Sequence, residues 1–439
     1  MVATSKENWF KIQNWFRKRE FLTHISTMFA GNISAQLLAL LTAPIITRLY
    51  SPSDFGAMSV VTSIISVVSI VACLRYERAI MLPKNDSEAI HILHLCLIST
   101  GLITFLAILL IATFKPFIDH HLSHSIGGLI WFVPVGVLLF GIREPFSLWF
   151  SRKKDFILVA KSRFLLSLWA ALTKLVSAWI FGASAFWLVG GNMIGLLGGV
   201  FPMLNRHYGR KSYKIFEGYS RTDIIAVARK YKNFPIYSSW TGLIHSFSEN
   251  IPVFFLLYLF SPVVVGYYGL AYNILCRPVG LISDSIAKVL FQKIAFSNAH
   301  DQPLGETFKK STGGLAIIGV IPLTLLTYWG PELFSFVFGD NWQTAGRYAA
   351  VLSPWLFLSF IMPPAMQVIT VYEQLRFNFW FHSATALARI GTLALGGYLY
   401  KDPVYVLLLF SLVNVVFYSF YVLFALHLVL SKDSSLGNT

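Results

Sequence analysis

The sequence predicts an all-α polytopic membrane protein with twelve transmembrane helices in two parallel-repeat lobes of six. Three observations carry this. Of the 439 residues, 56% are apolar and only 13% charged, which supplies a dozen segments of the roughly 20 residues needed to cross a bilayer. No stretch outside those segments is long enough to bury a soluble core of its own. A basic segment in mid-chain divides the apolar runs six and six, and a proline and Ser-Pro-Gly pattern recurs on both sides of it. The three cysteines, Cys73, Cys96 and Cys276, all sit in apolar runs, which argues against a disulfide framework and a thiolate zinc site.

Residues 1–21 interleave Trp9, Phe10, Ile12, Trp15 and Phe16 with Lys11, Arg17, Lys18 and Arg19, the pattern of a short helix lying in the inner interface. The first apolar run is as long as a full span and no small-x-small site follows it, which argues against a cleaved signal peptide. The N-terminal lobe, 22–204, holds spans near 22–47, 55–74, 89–113, 126–149, 156–180 and 184–204. Asn205–Pro235 carries eight Lys and Arg and two acids and reads as a cytoplasmic hinge. Within it Thr222-Asp223 is expected to cap a helix whose apolar residues Ile224, Ile225, Val227, Ala228 and Tyr231 alternate with Arg229, Lys230 and Lys232, suited to the inner membrane surface; a solvated basic loop is the plainer alternative. The C-terminal lobe, 236–430, holds spans near 236–260, 263–287, 313–338, 348–371, 377–400 and 404–430, and 431–439 form a cytoplasmic tail.

With the N-terminus cytoplasmic, 28 of the 35 Lys and Arg fall on the cytoplasmic side or at the inner ends of spans (Arg143, Lys161 and Arg163), four outside (Arg48, Lys115, Arg347, Lys401) and three deeper within spans (Lys174, Arg277, Arg389). Lys and Arg accumulate in cytoplasmic loops, so this asymmetry sets the orientation and accounts for the net charge of +15 without a nucleic-acid partner. The first lobe reads Pro44, Ser51-Pro52, Gly56 and the second Pro252, Ser261-Pro262, Gly266, offset by 210 positions at the Ser-Pro pairs. Turns favour these residues anyway; the weight lies in their coincidence with the lobe boundary. An even number of spans separates the copies, so both have the same orientation, related by an axis along the membrane normal.

This architecture is that of an alternating-access transporter with substrate near mid-membrane between the lobes. A membrane-embedded enzyme acting on lipid-linked sugars is the alternative class. Such enzymes place catalytic acids or basic clusters on a sizeable loop, and every outer loop here is short. No P-loop pattern is present, so no ATP hydrolysis is expected and an ion gradient is the remaining energy source.

The segment FAGNISAQLLALLTAPIITRLYSPSDFGAMSV from Phe29, followed by LRYERAIMLP ending at Pro83, resembles the start of bacterial polysaccharide-unit flippases of the Wzx type, in the multidrug/oligosaccharidyl-lipid/polysaccharide exporter superfamily. KYKNFPIYSSW and FSPVVVGYYGLAYNILCRPVGLIS, between Lys230 and Ser283, resemble the beginning of that family's second half. The sequence departs from the fourteen-span lipid II flippase branch in having no further pair of spans after Leu430. The resemblance implies translocation of an undecaprenyl-diphosphate-linked oligosaccharide from the cytoplasmic to the periplasmic leaflet of a bacterial inner membrane. It also implies a role in O-antigen or lipopolysaccharide synthesis, with the polysaccharide polymerase and chain-length machinery as partners and no cofactor. It does not imply which sugar. A drug or cation antiporter of the same superfamily is the alternative.

Cations inside spans are candidates for the substrate cavity, because an Arg or Lys at the bilayer centre costs roughly 2.5–3.5 kcal/mol unless it lines water or pairs with an acid. Arg389 lies at the middle of span eleven, and Arg277 near the middle of span eight, just before Pro278. Lys174 is close enough to the outer end of span five to snorkel to the interface. The rival reading for each is an ion pair that holds helices together. Glu249 is the only acid near the middle of a span, with His245 one turn earlier on the same face. The pair suits proton coupling; a salt bridge from Glu249 to Arg277 or Arg389 is the equal alternative. Arg143 with Glu144, and Arg75, Glu77 and Arg78, read as interfacial ion pairs, with Arg143 also placed to receive an incoming diphosphate. Asn32, Gln36, Asn192, Asn273 and Asn414 either hydrogen-bond sugars or glue helices together. His120, His121 and His124 have no carboxylate nearby besides Asp119, so no metal site is expected. Gly190-Gly191, Gly195 and Gly198-Gly199 favour close helix packing.

Overall fold

The computed structural model describes residues 31–121, 124–209, 220–300 and 302–437. The interfacial helix expected over 1–21, part of the basic mid-chain segment, and the side chains of His121, His124 and Arg277 lie outside the described residues. Every regular element among the described residues is helical: α1 (Gly31–Leu49), α2 (Pro52–Ser69), α3 (Asp86–His121), α4 (Phe132–Arg152), α5 (Phe156–Phe181), α6 (Ala185–Gly209), α7 (Arg221–Lys230), α8 (Ser239–Leu259), α9 (Pro262–Ala299), α10 (Gly305–Phe338), α11 (Gln343–Ile361), α12 (Pro363–Val371), α13 (Leu375–Leu399) and α14 (Pro403–Gly437). Nine helices among these residues are long and apolar enough to cross a membrane, or ten if α11 and α12, bent by 41° at Pro363-Pro364, form one span. The chain is a multi-pass membrane protein. Of the other expected spans, α9 contributes a shorter apolar helix over Pro262–Cys276, and α13 carries Arg376, Asn378, His382 and Arg389, which dilute its apolar character.

The chain forms two compact units, one of residues up to Thr42 with Ile64–Ile244, the other of Ala43–Ser63 with His245–Thr439. The division falls inside α1, α2 and α8. Below, inner and outer mean the sides that the cation distribution assigns.

In the first unit the inner ends of the helices pack on a core that includes Tyr76, Ile92, Phe146, Trp149, Phe150 and Met203. Ion pairs rim this core. Arg152 and Lys153 reach Asp86, Lys230 pairs with Glu88 at 2.6 Å, and Arg206 lies 3.5 Å from Asp155. The hydrogen bond to Glu88 raises the Lys230 ammonium pKa above its ordinary value. The cap of α7 differs from expectation: Ser220 takes the N-cap and accepts from the Asp223 amide at 3.3 Å, so Asp223 falls in the first turn, where its charge suits the helix dipole. Ile224 and Val227 are buried, Val227 within this core, while Ile225 is 60% exposed. The apolar face of α7 is thus largely taken up by protein. Gly191, Gly195, Gly198 and Gly199 of α6 pack on α5, where the Ser162 hydroxyl donates to the Gly199 carbonyl at 2.6 Å.

The second unit has its own inner core of Phe308, Met362, Val368, Phe381, Tyr421 and Val429 among others. Asp433, near the inner end of α14, accepts from the Leu304 and Gly305 amides at 2.9 and 2.7 Å, capping α10 from another helix. At the outer end Thr47 donates to the Phe338 carbonyl, Arg48 to the Phe336 carbonyl, and the Trp342 indole to the Thr47 carbonyl. Each contact joins residues assigned to one side. Three highly exposed aromatics, Trp179, Tyr258 and Tyr398, each lie at the outer end of their own helix, where a lipid interface accepts an amphipathic ring.

The repeated pattern has a structural role. Ser51 and Ser261 stand before Pro52 and Pro262, so each copy opens a helix with a hydroxyl N-cap and proline at the first position. In α2 and α9 these turns meet reciprocally. A Cβ on Gly56 would overlap the Pro262 carbonyl oxygen, and a Cβ on Gly266 would overlap that of Pro52.

Candidate functional site

The polar centre of the second unit is built by α8, α9, α11, α13 and α14. Arg389 is 4% exposed. Its Nε donates to Asn414 Oδ1 at 2.8 Å, Nη1 to Ser248 Oγ at 3.3 Å and Nη2 to the Tyr418 hydroxyl at 3.2 Å. The guanidinium also lies 5.6 Å from the Trp355 ring centroid and 5.7 Å from that of Phe410, distances at which a cation is attracted to a ring face. Nη1 stands 3.6 Å from Glu249 Oε1, while Oε2 accepts from the Tyr272 hydroxyl at 3.0 Å. The two partners differ in access, the Arg389 side chain being 5% exposed and that of Glu249 37%. The carboxylate is reachable from outside this centre and the guanidinium is not. His245 is exposed, and its ring lies 6.2 Å from that of His382 on α13.

Of the two readings of Glu249, the geometry contains the ion pair with Arg389. As a direct contact for a substrate phosphate, Arg389 is poorly placed, because protein groups satisfy it on every side. Arg277 lies outside the described residues as a side chain. Asn273 donates to its own helix at Gly269, the glue that membrane-buried amides supply. Asn414 likewise donates to Phe410 while accepting from Arg389.

The first unit holds a second polar cluster at the inner ends of α2 and α4. A cavity of about 410 Å³ is lined by Cys73, Arg75, Glu77, Arg78, Phe140 and Glu144, among others. Arg75 lies 3.7 Å from Glu77, and Arg143 pairs with Glu144 at 2.5 Å. Burial is the largest influence on the first pair, pushing the Glu77 carboxyl up and the Arg75 guanidinium down from their ordinary values. Arg75 sits in the left-handed region at φ 61°, after Leu74 at φ 50°, conformations disfavoured for non-glycine residues. This bend turns the chain from α2 into a 3₁₀ segment, Tyr76–Met81, and delivers the charged triplet to the cavity.

The remaining expected residues are scattered within the first unit. Asn32 accepts from Arg163, and Lys174 donates to Asn192 at 2.7 Å. Gln36 is half-buried on α1. Among the described residues no group of three metal-ligating side chains is present. Sequence reasoning missed Ser248, Tyr272, Trp355, His382 and Tyr418 at the Arg389 centre. Only His382, seven residues before Arg389 on the same helix, had a readable signal; aromatic and hydroxyl residues in spans look like ordinary packing.

The family model for polysaccharide biosynthesis proteins matches residues 45–347. No curated protein is a significant sequence match. Among solved structures, the lipid II flippase MurJ in an inward closed conformation is similar with a TM-score of 0.73 and 13% identity, over 94% of this chain and 90% of that one. An inward-facing multidrug resistance MATE family transporter of the MOP superfamily is similar with a TM-score of 0.71 and 12% identity, over 92% and 96%. A MOP superfamily transporter from Pyrococcus furiosus gives 0.56 and 14%, over 95% of each chain. At these identities the likeness shows the fold, which is that of transporters and a flippase rather than of enzymes.

Proposed function

We propose, from the premise that this chain belongs to the family of polysaccharide biosynthesis proteins, that it flips undecaprenyl-diphosphate-linked oligosaccharide units from the cytoplasmic to the periplasmic leaflet of a bacterial inner membrane. The observation that carries the reading is the charged cavity of the first unit, lined by Arg75 and Arg78 together with Glu77 and Glu144. It lies at the inner ends of α2 and α4, where a lipid-linked anion arrives. Glu77 and Glu144 occupy Arg75 and Arg143, and a diphosphate, with more charge and more acceptor oxygens, exchanges for those carboxylates. The sugar head then crosses by alternating exposure while the polyprenyl tail stays in lipid, and no covalent step is needed. Twelve spans, cytoplasmic termini and delivery of units to a polymerase and chain-length machinery complete the proposal.

Coupling to a proton gradient is assigned to Glu249. Its protonation removes the attraction on Arg389 but leaves that cation its three neutral acceptors and two rings, so the change is local and reversible. A second reading, cation antiport, is favoured by one fact: Glu249 neutralises Arg389, so the centre of the second unit is not net cationic.

Proteoliposomes distinguish the two. A labelled undecaprenyl-diphosphate oligosaccharide should become accessible in the opposite leaflet faster under an imposed pH gradient, and Glu249→Gln should equilibrate it slowly and without regard to the gradient. Gradient-driven exchange of organic cations with no movement of the lipid would favour the antiporter. Full gradient dependence in Glu249→Gln would return that residue to a structural ion pair. Independently, reporter fusions after Lys211 and Lys432 should be cytoplasmic and those after Ser123 and Asn341 exported; an exported reporter at Lys211 would break the orientation.

A further inference from the structure

Lys161 is a cation on an exposed apolar stripe. On α5 it follows Ile157, 70% exposed, by one turn and precedes exposed Phe164 by another; on α6, Leu197 and Phe201, 50% and 70% exposed, lead to exposed Asn205 with the same spacing. Exposed apolar stripes of this kind meet acyl chains in a membrane protein. The Lys161 side chain is itself exposed, and no ion pair among the described residues reaches it. It lies five residues into α5, about 8 Å along the axis at 1.5 Å per residue, so its ammonium reaches back to the headgroup layer. Between the helices there opens a cavity of about 540 Å³ lined by Asp155, Ile157, Lys161, Pro202, Asn205 and Arg206, among others. Asp155 is partly committed, since it caps α5 by accepting from the Leu158 amide at 3.2 Å while it holds Arg206 at 3.5 Å.

We propose that this groove binds the phosphate of an anionic diacyl phospholipid of the cytoplasmic leaflet, held by Lys161 and Arg206 with the Asn205 amide as a further donor. Basic pockets between helices on the cytoplasmic side suit such headgroups. Two apolar stripes flanking one phosphate site match two acyl chains, which selects a phospholipid over a free phosphate or a single polyprenyl tail. The cavity is larger than a glycerophosphate group requires. The leaflet assignment rests on the orientation above, which the reporter fusions test separately.

Native mass spectrometry of the full-length protein in detergent, titrated with phosphatidylglycerol or phosphatidylethanolamine, tests the site. Phosphatidylglycerol should be retained in preference. Lys161→Gln with Arg206→Gln should weaken it roughly 30-fold, and Lys161→Gln alone roughly fivefold, at the usual worth of a cation near an anionic lipid. If the double variant does not purify folded, the single exposed substitution carries the test. Asp155→Asn keeps a capping side chain and frees Arg206, so it should tighten binding, an effect of opposite sign that loss of fold cannot mimic. Lys309→Gln with Lys310→Gln, at another inner helix end, should change nothing. Equal retention of both lipids, unchanged binding in Lys161→Gln, weaker binding in Asp155→Asn, or displacement of phosphatidylglycerol by equimolar undecaprenyl diphosphate would each overturn the assignment.

Discussion

Arg389→Ala should remove most folded protein from the membrane and abolish transport with it. The substitution deletes a buried cation that satisfies Asn414, Ser248 and Tyr418 and faces Glu249. Leaving a buried polar group without its partner costs about 1–3 kcal/mol, and this substitution strips Asn414, Ser248 and Tyr418 of theirs, against a total stability on the order of 5–15 kcal/mol. Arg389→Lys should recover only part of this, because one ammonium cannot reach three acceptors that the planar fork meets with separate nitrogens. Glu249→Gln should be milder, since the arginine keeps its neutral partners. Combining Arg389→Ala with Glu249→Ala should cost less than the two single effects added, as expected for residues in contact. Thermal unfolding in detergent reads all four, and a wild-type transition in Arg389→Ala would refute the account of this centre.

Gly56→Val and Gly266→Val should each have an effect as large, at a site with no charge. At both positions a Cβ would overlap a backbone carbonyl oxygen of the facing helix, and backbone cannot swing aside as a side chain does. The helices must separate, taking with them the neighbouring contact in which Phe55 meets the Trp342 ring edge to face at 4.8 Å. Because both substitutions break one contact, the double variant should be little worse than either alone. Gly313→Ala is the control: a Cβ there meets nothing within 4 Å, and in mid-helix the change should be neutral or stabilising. Size-exclusion profiles of the extracted proteins measure this directly, and a monodisperse, thermally normal Gly56→Val would contradict it.

Much of the fold was legible because a bilayer imposes one rule on every span. Apolar length located the helices, and residues that the cation distribution assigns to one side, Arg48 with Phe336 and Asp433 with Leu304, are in contact. The polar centre was legible by exception: Arg389 and Glu249 stood out because charges are rare in spans. Their partners did not. Tyr272, Trp355 and Tyr418 are the residue types that fill any helical core, and nothing in their spacing marks them as facing a guanidinium. Sequence also cannot tell a cation that lines water from one enclosed by protein, since both look like an arginine in an apolar run. The charged triplet at Arg75 was visible, but the left-handed bend that directs it into a cavity was not, because Leu74 and Arg75 carry no glycine or asparagine to announce it.

The meeting of Gly56 with Pro262 and of Gly266 with Pro52 has a consequence for how such a chain could be assembled. Each side presents the same Ser-Pro-x-x-x-Gly surface to the other, so the contact is self-complementary, as in a two-fold symmetric homodimer. A surface of that kind does not require a covalent tether. Two separate polypeptides, cut within the mid-chain segment between Gly209 and Ser220 and produced together, should find one another through it, and a half carrying only one copy should be able to pair with its own duplicate. The mid-chain segment would then act less as part of the architecture than as a means of keeping the two copies at equal dose and high effective concentration.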